Sequence, residues 1–137
     1  MKPYIVLDTN IYISAIIYGG KPEEVFLLAK EGAIELFVST AIIAEVATKL
    51  ADKFHWHSFD ITDFIREIGE AAKIVRPQKR LKVIESDESD NRVLECALTA
   101  GAQYIITGDR RHLLSMKQYQ GIEIVSAAMF LKKMRKR

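Results

Sequence analysis

Ile5-Val6-Leu7-Asp8-Thr9-Asn10 is an apolar run that stops abruptly at a carboxylate, a hydroxyl and an amide. A second β-rich run, Tyr104-Ile105-Ile106-Thr107-Gly108-Asp109, ends in the same way. Unbroken apolar runs of this length suit strands buried on both faces of a parallel sheet. In such sheets ligands lie beyond the carboxyl ends of the strands, so the two aspartates are expected to face one crevice. Carboxylates brought together repel unless a cation or a proton sits between them. The pattern predicts a metal site.

Outward from the first run, residues 10–17 are apolar enough to start a helix, which Tyr18-Gly19-Gly20 breaks. Pro22 suits the first turn of a second helix, with Glu23 and Glu24 near its positive end and Gly32 closing it. Residues 33–38 read as a short strand, and Ser39 as the N-cap of a helix over 40–50. Helical spacing places Ile42, Ile43, Val46, Ala47 and Leu50 on one face. Glu45 falls away from it, beside the small Ala41 and Ala44. Ser58 is expected to cap a further helix that offers Phe59, Ile61, Phe64, Ile65 and Ile68 for burial, and residues 73–75 read as a short edge strand.

Residues 77–85 form a polar linker with an apolar patch at Leu81, Val83 and Ile84. The acidic segment Glu85-Ser86-Asp87-Glu88-Ser89-Asp90-Asn91 then leads into a helix that Gly101 ends. Asp90 shares the inward face of that helix with Val93, Leu94, Ala97 and Gly101, and an inward carboxylate needs a partner. Asp87 reads as a turn or cap residue. A strand over 104–107, a helical turn over 112–116, a strand over 122–125 and a last helix capped by Ser126 complete the chain. Strands alternating with helices predict a three-layer α/β/α fold with a mainly parallel sheet of about five strands.

The length of 137 residues suits one domain, 1–137, with a basic tail over 132–137. The 49% hydrophobic and 28% charged content argues against a disordered chain. A single cysteine excludes an intramolecular disulfide and a CxxC zinc site, and Cys96 lies in an apolar helical stretch where a packed thiol is expected. Met1-Lys2-Pro3 runs straight into a strand with no secretory h-region, and no apolar run reaches the roughly 18 residues of a membrane span. The expected location is the cytoplasm. The surplus behind the net charge of +2 is concentrated in the tail, which complements a helix C-terminus or, less readily, meets phosphate, and by itself decides neither.

Four carboxylates from four separated places, Asp8, Glu45, Asp90 and Asp109, match a hard-cation oxygen site for Mg²⁺ or Mn²⁺. Asp8 is also placed to cap the helix after it. His55 and His57 flank Trp56 without a matching ligand nearby and read as surface residues. His112 follows Arg110-Arg111 directly after Asp109, which places it near the cleft or, on the preferred reading, leaves it an exposed loop histidine.

These residues together resemble the PIN domain family, in particular the prokaryotic PIN proteins found as toxins in toxin–antitoxin pairs. The resemblance runs from Val6-Leu7-Asp8-Thr9-Asn10, through Ser39-Thr40 and Glu45, to Asp87-Glu88-Ser89-Asp90-Asn91 and Ile106-Thr107-Gly108-Asp109. It implies that Asp8, Glu45, Asp90 and Asp109 are the catalytic acidic quartet, with Thr9, Asn10 and Thr107 supporting it. It further implies Mg²⁺- or Mn²⁺-dependent cleavage of RNA, a homodimer and a small antitoxin partner. On this reading Asp8, Asp90 and Asp109 hold the cation and Glu45 acts through water. This chain departs from the family pattern in two ways. The acidic segment offers both Asp87 and Asp90 for one position, of which Asp90 is preferred. Arg111 stands where many relatives carry a further acid, so Arg110 or Arg111 is expected to meet phosphate.

Two other functions compete. A haloacid dehalogenase-like phosphatase also begins with a strand ending in aspartate, yet needs a second aspartate where this chain has Asn10. A non-catalytic RNA-binding or partner-binding module would tolerate loss of an acid, whereas all four positions are filled.

Overall fold

Three consecutive apolar side chains need cover on both faces of the strand that carries them. The computed structural model describes residues 2–84 and 87–136, and there Ile5, Val6 and Leu7 have no solvent exposure. Met1, Glu85, Ser86 and Arg137 lie outside the described residues, and with them parts of the expected linker, acidic segment and basic tail. Burying a side chain of this kind stabilises the fold by about 1.5–3 kcal/mol, so this strand anchors the core.

The strand is β1 (Tyr4–Leu7), followed by α1 (Thr9–Ile17), α2 (Gly20–Lys30), β2 (Glu35–Ser39), α3 (Thr40–Asp52), α4 (Ser58–Ala71) and β3 (Ala72–Val75). The second half contributes α5 (Glu88–Ala100), β4 (Tyr104–Ile106), α6 (Leu113–Met116), β5 (Gln118–Tyr119), β6 (Ile122–Val125) and α7 (Ala127–Arg135). The sheet order is β3-β2-β1-β4-β6-β5, and every pairing is parallel except β5 with β6. Helices flank this sheet in a three-layer α/β/α arrangement. The chain steps outward from β1 to β2 and β3 on one side, then crosses to β4 and β6 on the other. The strand order therefore reverses beside β1, which opens a crevice between the carboxyl ends of β1 and β4.

The sheet has six strands where about five were expected. The addition is β5, two residues long, joined to β6 by Gln120 and Gly121, whose φ angles of 47° and 84° make a tight hairpin turn. The α4 helix also differs from expectation. His57 occupies its N-cap without a side-chain hydrogen bond and Ser58 is already helical, while Phe59 is 79% exposed and the helix buries Phe64 and Ile68.

The two helices that carry Glu45 and Asp90 follow their sequence patterns. The α3 helix starts at Ser39, whose hydroxyl accepts from Ile42 N at 3.3 Å, and buries Ile42, Val46 and Leu50. The α5 helix buries Asp90, Val93, Leu94, Cys96 and Ala97 and ends at Gly101, with φ 66° and ψ 38°. Burial pushes the Cys96 thiol up to about 12, consistent with a packed residue rather than a reactive one. Among the described residues no helix is long and apolar enough to cross a membrane.

Candidate metal centre

Register brings the first two acids together. Leu7 pairs with Ile106, so the residues after each strand emerge side by side, and Asp8 N donates to Ile106 O at 3.0 Å. Asp8 caps α1, its Oδ1 accepting from Ile11 N at 2.9 Å, while its Oδ2 accepts from the Thr107 hydroxyl. The same hydroxyl accepts from Asp109 N at 3.0 Å. Thr107, fully buried, thus fixes both aspartates at the end of the sheet. Asp8 is only 4% exposed, and burial pushes its carboxyl up to about 6 against the hydrogen bonds from Thr107 and Ile11.

The third acid comes from α5. Asp87 caps this helix, its Oδ1 accepting from Ser89 N at 3.0 Å and Asp90 N at 3.2 Å. Burial acts to raise the Asp87 carboxyl, but hydrogen bonds from Ser89 and Asp90 outweigh it and hold Asp87 below the ordinary carboxylate value. The cap sets the first turn so that Asp90 faces inward at 7% exposure. Burial, then a hydrogen bond shared with Asp109, then the charges of Asp87, Asp109 and Asp8 push Asp90 up to about 8. Asp109 moves the other way: burial opposes its ionisation, yet the hydrogen bond with Asp90, the Arg111 N–H and His112 keep it low.

His112 reaches the same place. Its Nδ1 lies 3.3 Å from Asp90 Oδ2, 3.3 Å from Asp109 Oδ2 and 3.9 Å from Asp87 Oδ2. Far from being an exposed loop residue, this half-buried histidine stands among three carboxylates. Glu45 approaches from α3, its Oε1 paired with Lys49 Nζ at 3.3 Å, and the Lys49 ammonium also donates to Asn10 Oδ1 at 3.0 Å. These groups border a cleft of about 450 Å³ that Thr9, Ser14 and Arg111 also line. Arg110 is exposed and is not among the residues lining the cleft.

The residues fit a divalent cation. Among the described residues, Asp90 Oδ2 is buried without a hydrogen-bond partner, in a cleft where like charges already crowd one another. A buried oxygen left in that state is costly unless a cation or proton answers it. Asp87, Asp90 and His112 offer donor atoms that all lie within 4.8 Å of one another.

Asp8, Glu45, Asp90 and Asp109 all border this one cleft, and Thr9, Asn10 and Thr107 lie at or beneath its wall. His112 was expected near the cleft only as the lesser reading, with no chemical role. The available signal was its position three residues beyond Asp109, directly before Leu113, which has no exposure and pins the turn.

Residues 4–111 match the family model described as PIN domain. An uncharacterized protein of Methanocaldococcus jannaschii is 30% identical over 122 residues, covering 85% of this chain and 77% of its own. Among solved structures, VapBC2 from Rickettsia felis, bound to a DNA fragment from its promoter, aligns with a TM-score of 0.63 at 15% identity. The alignment covers 88% of this chain and 96% of that one. PAE2754 from Pyrobaculum aerophilum aligns with a TM-score of 0.63 at 12% identity over the full length of both chains. At these identities the two structures share the fold, and the sequence match over most of the chain places this protein in the PIN domain family.

Proposed function

We propose that this chain, acting as one domain over 1–137, is a divalent-metal-dependent endoribonuclease and the toxin member of a toxin–antitoxin pair. The observation that carries the reading is the buried Asp90 oxygen without a hydrogen-bond partner, in the one cleft that Asp8, Glu45 and Asp109 also line. The PIN family membership supports the reaction class, and the resemblance to prokaryotic PIN toxins supports the partners: RNA as substrate, a small antitoxin, and a second copy of the chain in a homodimer. A cytoplasmic location belongs to the same reading.

In this mechanism Asp8, Asp90 and Asp109 hold Mg²⁺ or Mn²⁺. When bound, the ion would lower the pKa of a coordinated water and neutralise charge on the phosphate oxygens in the transition state. Thr107 keeps the Asp8 carboxylate from turning and anchors the backbone at Asp109, which preserves the spacing of the ligands. Glu45 orients the attacking water, with Lys49 holding the glutamate in place. Arg111, at the rim, meets the RNA backbone and contributes affinity without sequence choice.

The test is cleavage of a labelled single-stranded RNA by wild type and Asp8→Asn, with Mn²⁺ and then with EDTA. Cleavage should fall by at least about a hundredfold in the variant, since even residues outside the ligand set can cost that much, and it should stop in EDTA. A wild type that cuts nothing across several RNAs and metals, or a variant that cuts equally well, would overturn the reading.

A further inference from the structure

The imidazole of His112 is held where it is by its own turn. Leu113 is fully buried, Leu114 N donates to Asp109 O at 2.9 Å, and the Ser115 hydroxyl donates to His112 O at 2.8 Å. With the backbone fixed on both sides, Nδ1 faces carboxylates from two different parts of the fold: Asp87 and Asp90 from the start of α5, and Asp109 from the turn after β4. An imidazole that merely oriented one acid would need one such contact. Here it has three.

Two observations together point to a cation. The donor atoms of Asp87, Asp90 and His112 lie within 4.8 Å of one another, and a slight closure would give the span of donors about 2.0–2.2 Å from a shared ion. The Asp90 side chain is 10% exposed, and its Oδ2, the atom 3.3 Å from His112 Nδ1, is left without a hydrogen bond. Mg²⁺ favours a shell of oxygens alone, whereas imidazole suits transition-series ions, whose affinity for a nitrogen-containing site rises along the series from Mn²⁺.

We infer that Asp87, Asp90 and His112 form a mixed carboxylate–imidazole site for a transition-series divalent cation, Mn²⁺ or one further along that series, in preference to Mg²⁺. The inference rests on the metal-dependent reading of the cleft and deepens it. The carboxylates of the proposed function keep their roles, a nitrogen now sets the choice of ion, and Asp87 joins as a ligand while still capping α5.

The test uses Mn²⁺ itself, bound to the full chain without RNA. Pulsed electron paramagnetic resonance of the wild-type complex should show modulation from a directly coordinated imidazole nitrogen. His112→Ala should lose that modulation and bind Mn²⁺ at least about tenfold more weakly, while its Mg²⁺ affinity changes by much less. Asp87→Asn should also weaken Mn²⁺ yet keep the nitrogen signal. Wild type that fails to bind Mn²⁺, or binds it without nitrogen modulation, overturns the inference; so does a His112→Ala protein with wild-type Mn²⁺ affinity. Should His112→Ala fail to fold, the wild-type spectrum decides alone. Cleavage of RNA in Mg²⁺ without a nitrogen signal would remove this site and leave the nuclease standing. A nitrogen signal without cleavage of any RNA would do the reverse.

Discussion

The Thr107 hydroxyl donates to Asp8 Oδ2 and accepts from Asp109 N, with no water able to replace either contact at zero exposure. Thr107→Val keeps the shape and removes the hydroxyl, leaving a buried carboxylate oxygen and an amide without their partner. Leaving buried polar groups unsatisfied costs about 1–3 kcal/mol, so urea denaturation should show a loss of that size for Thr107→Val and a much smaller one for Thr107→Ser. At this scale the sequence was readable where a residue type met an abrupt change of pattern. Asp8 and Asp109 stand out because each ends an apolar run, and Asp90 because its helical neighbours are apolar. His112 was only half readable: its place three residues after Asp109 hinted at the cleft, but that the turn brings the imidazole back to α5 depends on how β4 and α5 lie in three dimensions.

At the scale of elements, α5 carries most of the site's precision. It is fixed at its end by Gly101, whose left-handed backbone lets Ala102 N donate to Ala97 O at 2.9 Å. A Cβ at Gly101 would meet nothing within 4 Å. The cost of Gly101→Ala is thus conformational only, about 1 kcal/mol, and a thermal melt should show a lowered Tm. Along its flank α5 also clasps the preceding strap. Asn91 accepts from Ile84 N at 2.8 Å and donates to Ile84 O at 2.6 Å, while Glu95 accepts from Leu81 N at 2.7 Å. Asn91→Ala removes the clasp at Ile84, so trypsin should cut after Lys79, Arg80 or Lys82 several times faster than in wild type, as seen by limited proteolysis. Element ends with specific chemistry were legible, as at Ser39, Gly101 and Ser126. The β5 strand was not, because two residues closed by Gln120-Gly121 present no periodicity. Ser58 misled because a hydroxyl at a helix start is a cap signal whether or not it sits one residue too late.

Across the whole molecule, buried acids make stability depend on pH in an unusual direction. Asp8 and Asp90 are raised from 3.8 to about 6 and about 8, so between about pH 4 and 8 the folded chain binds more protons than the unfolded one. Stability without metal should therefore fall as pH rises through that window. Asp8 alone contributes about 3 kcal/mol to that fall. Below it, Asp87 and Asp109, both held low, lose their contribution on protonation, which places the optimum near the acid end. Urea denaturation in EDTA should be weaker in effect at pH 5 than at pH 8, with Asp8→Asn flattening the lower half of the slope and Mn²⁺ restoring stability at pH 8. The architecture was legible as a whole because strands and helices alternate, and the crevice followed from it; the strand order beside β1 had to be seen. That order joins Asp8 to Thr107 across 99 residues. At about 5–20 residues per second on the ribosome, the first of these partners waits several seconds or longer for the second to be made. The cleft of a nascent chain therefore stays unassembled for that interval, a built-in delay between making the first acid and completing the wall that holds it.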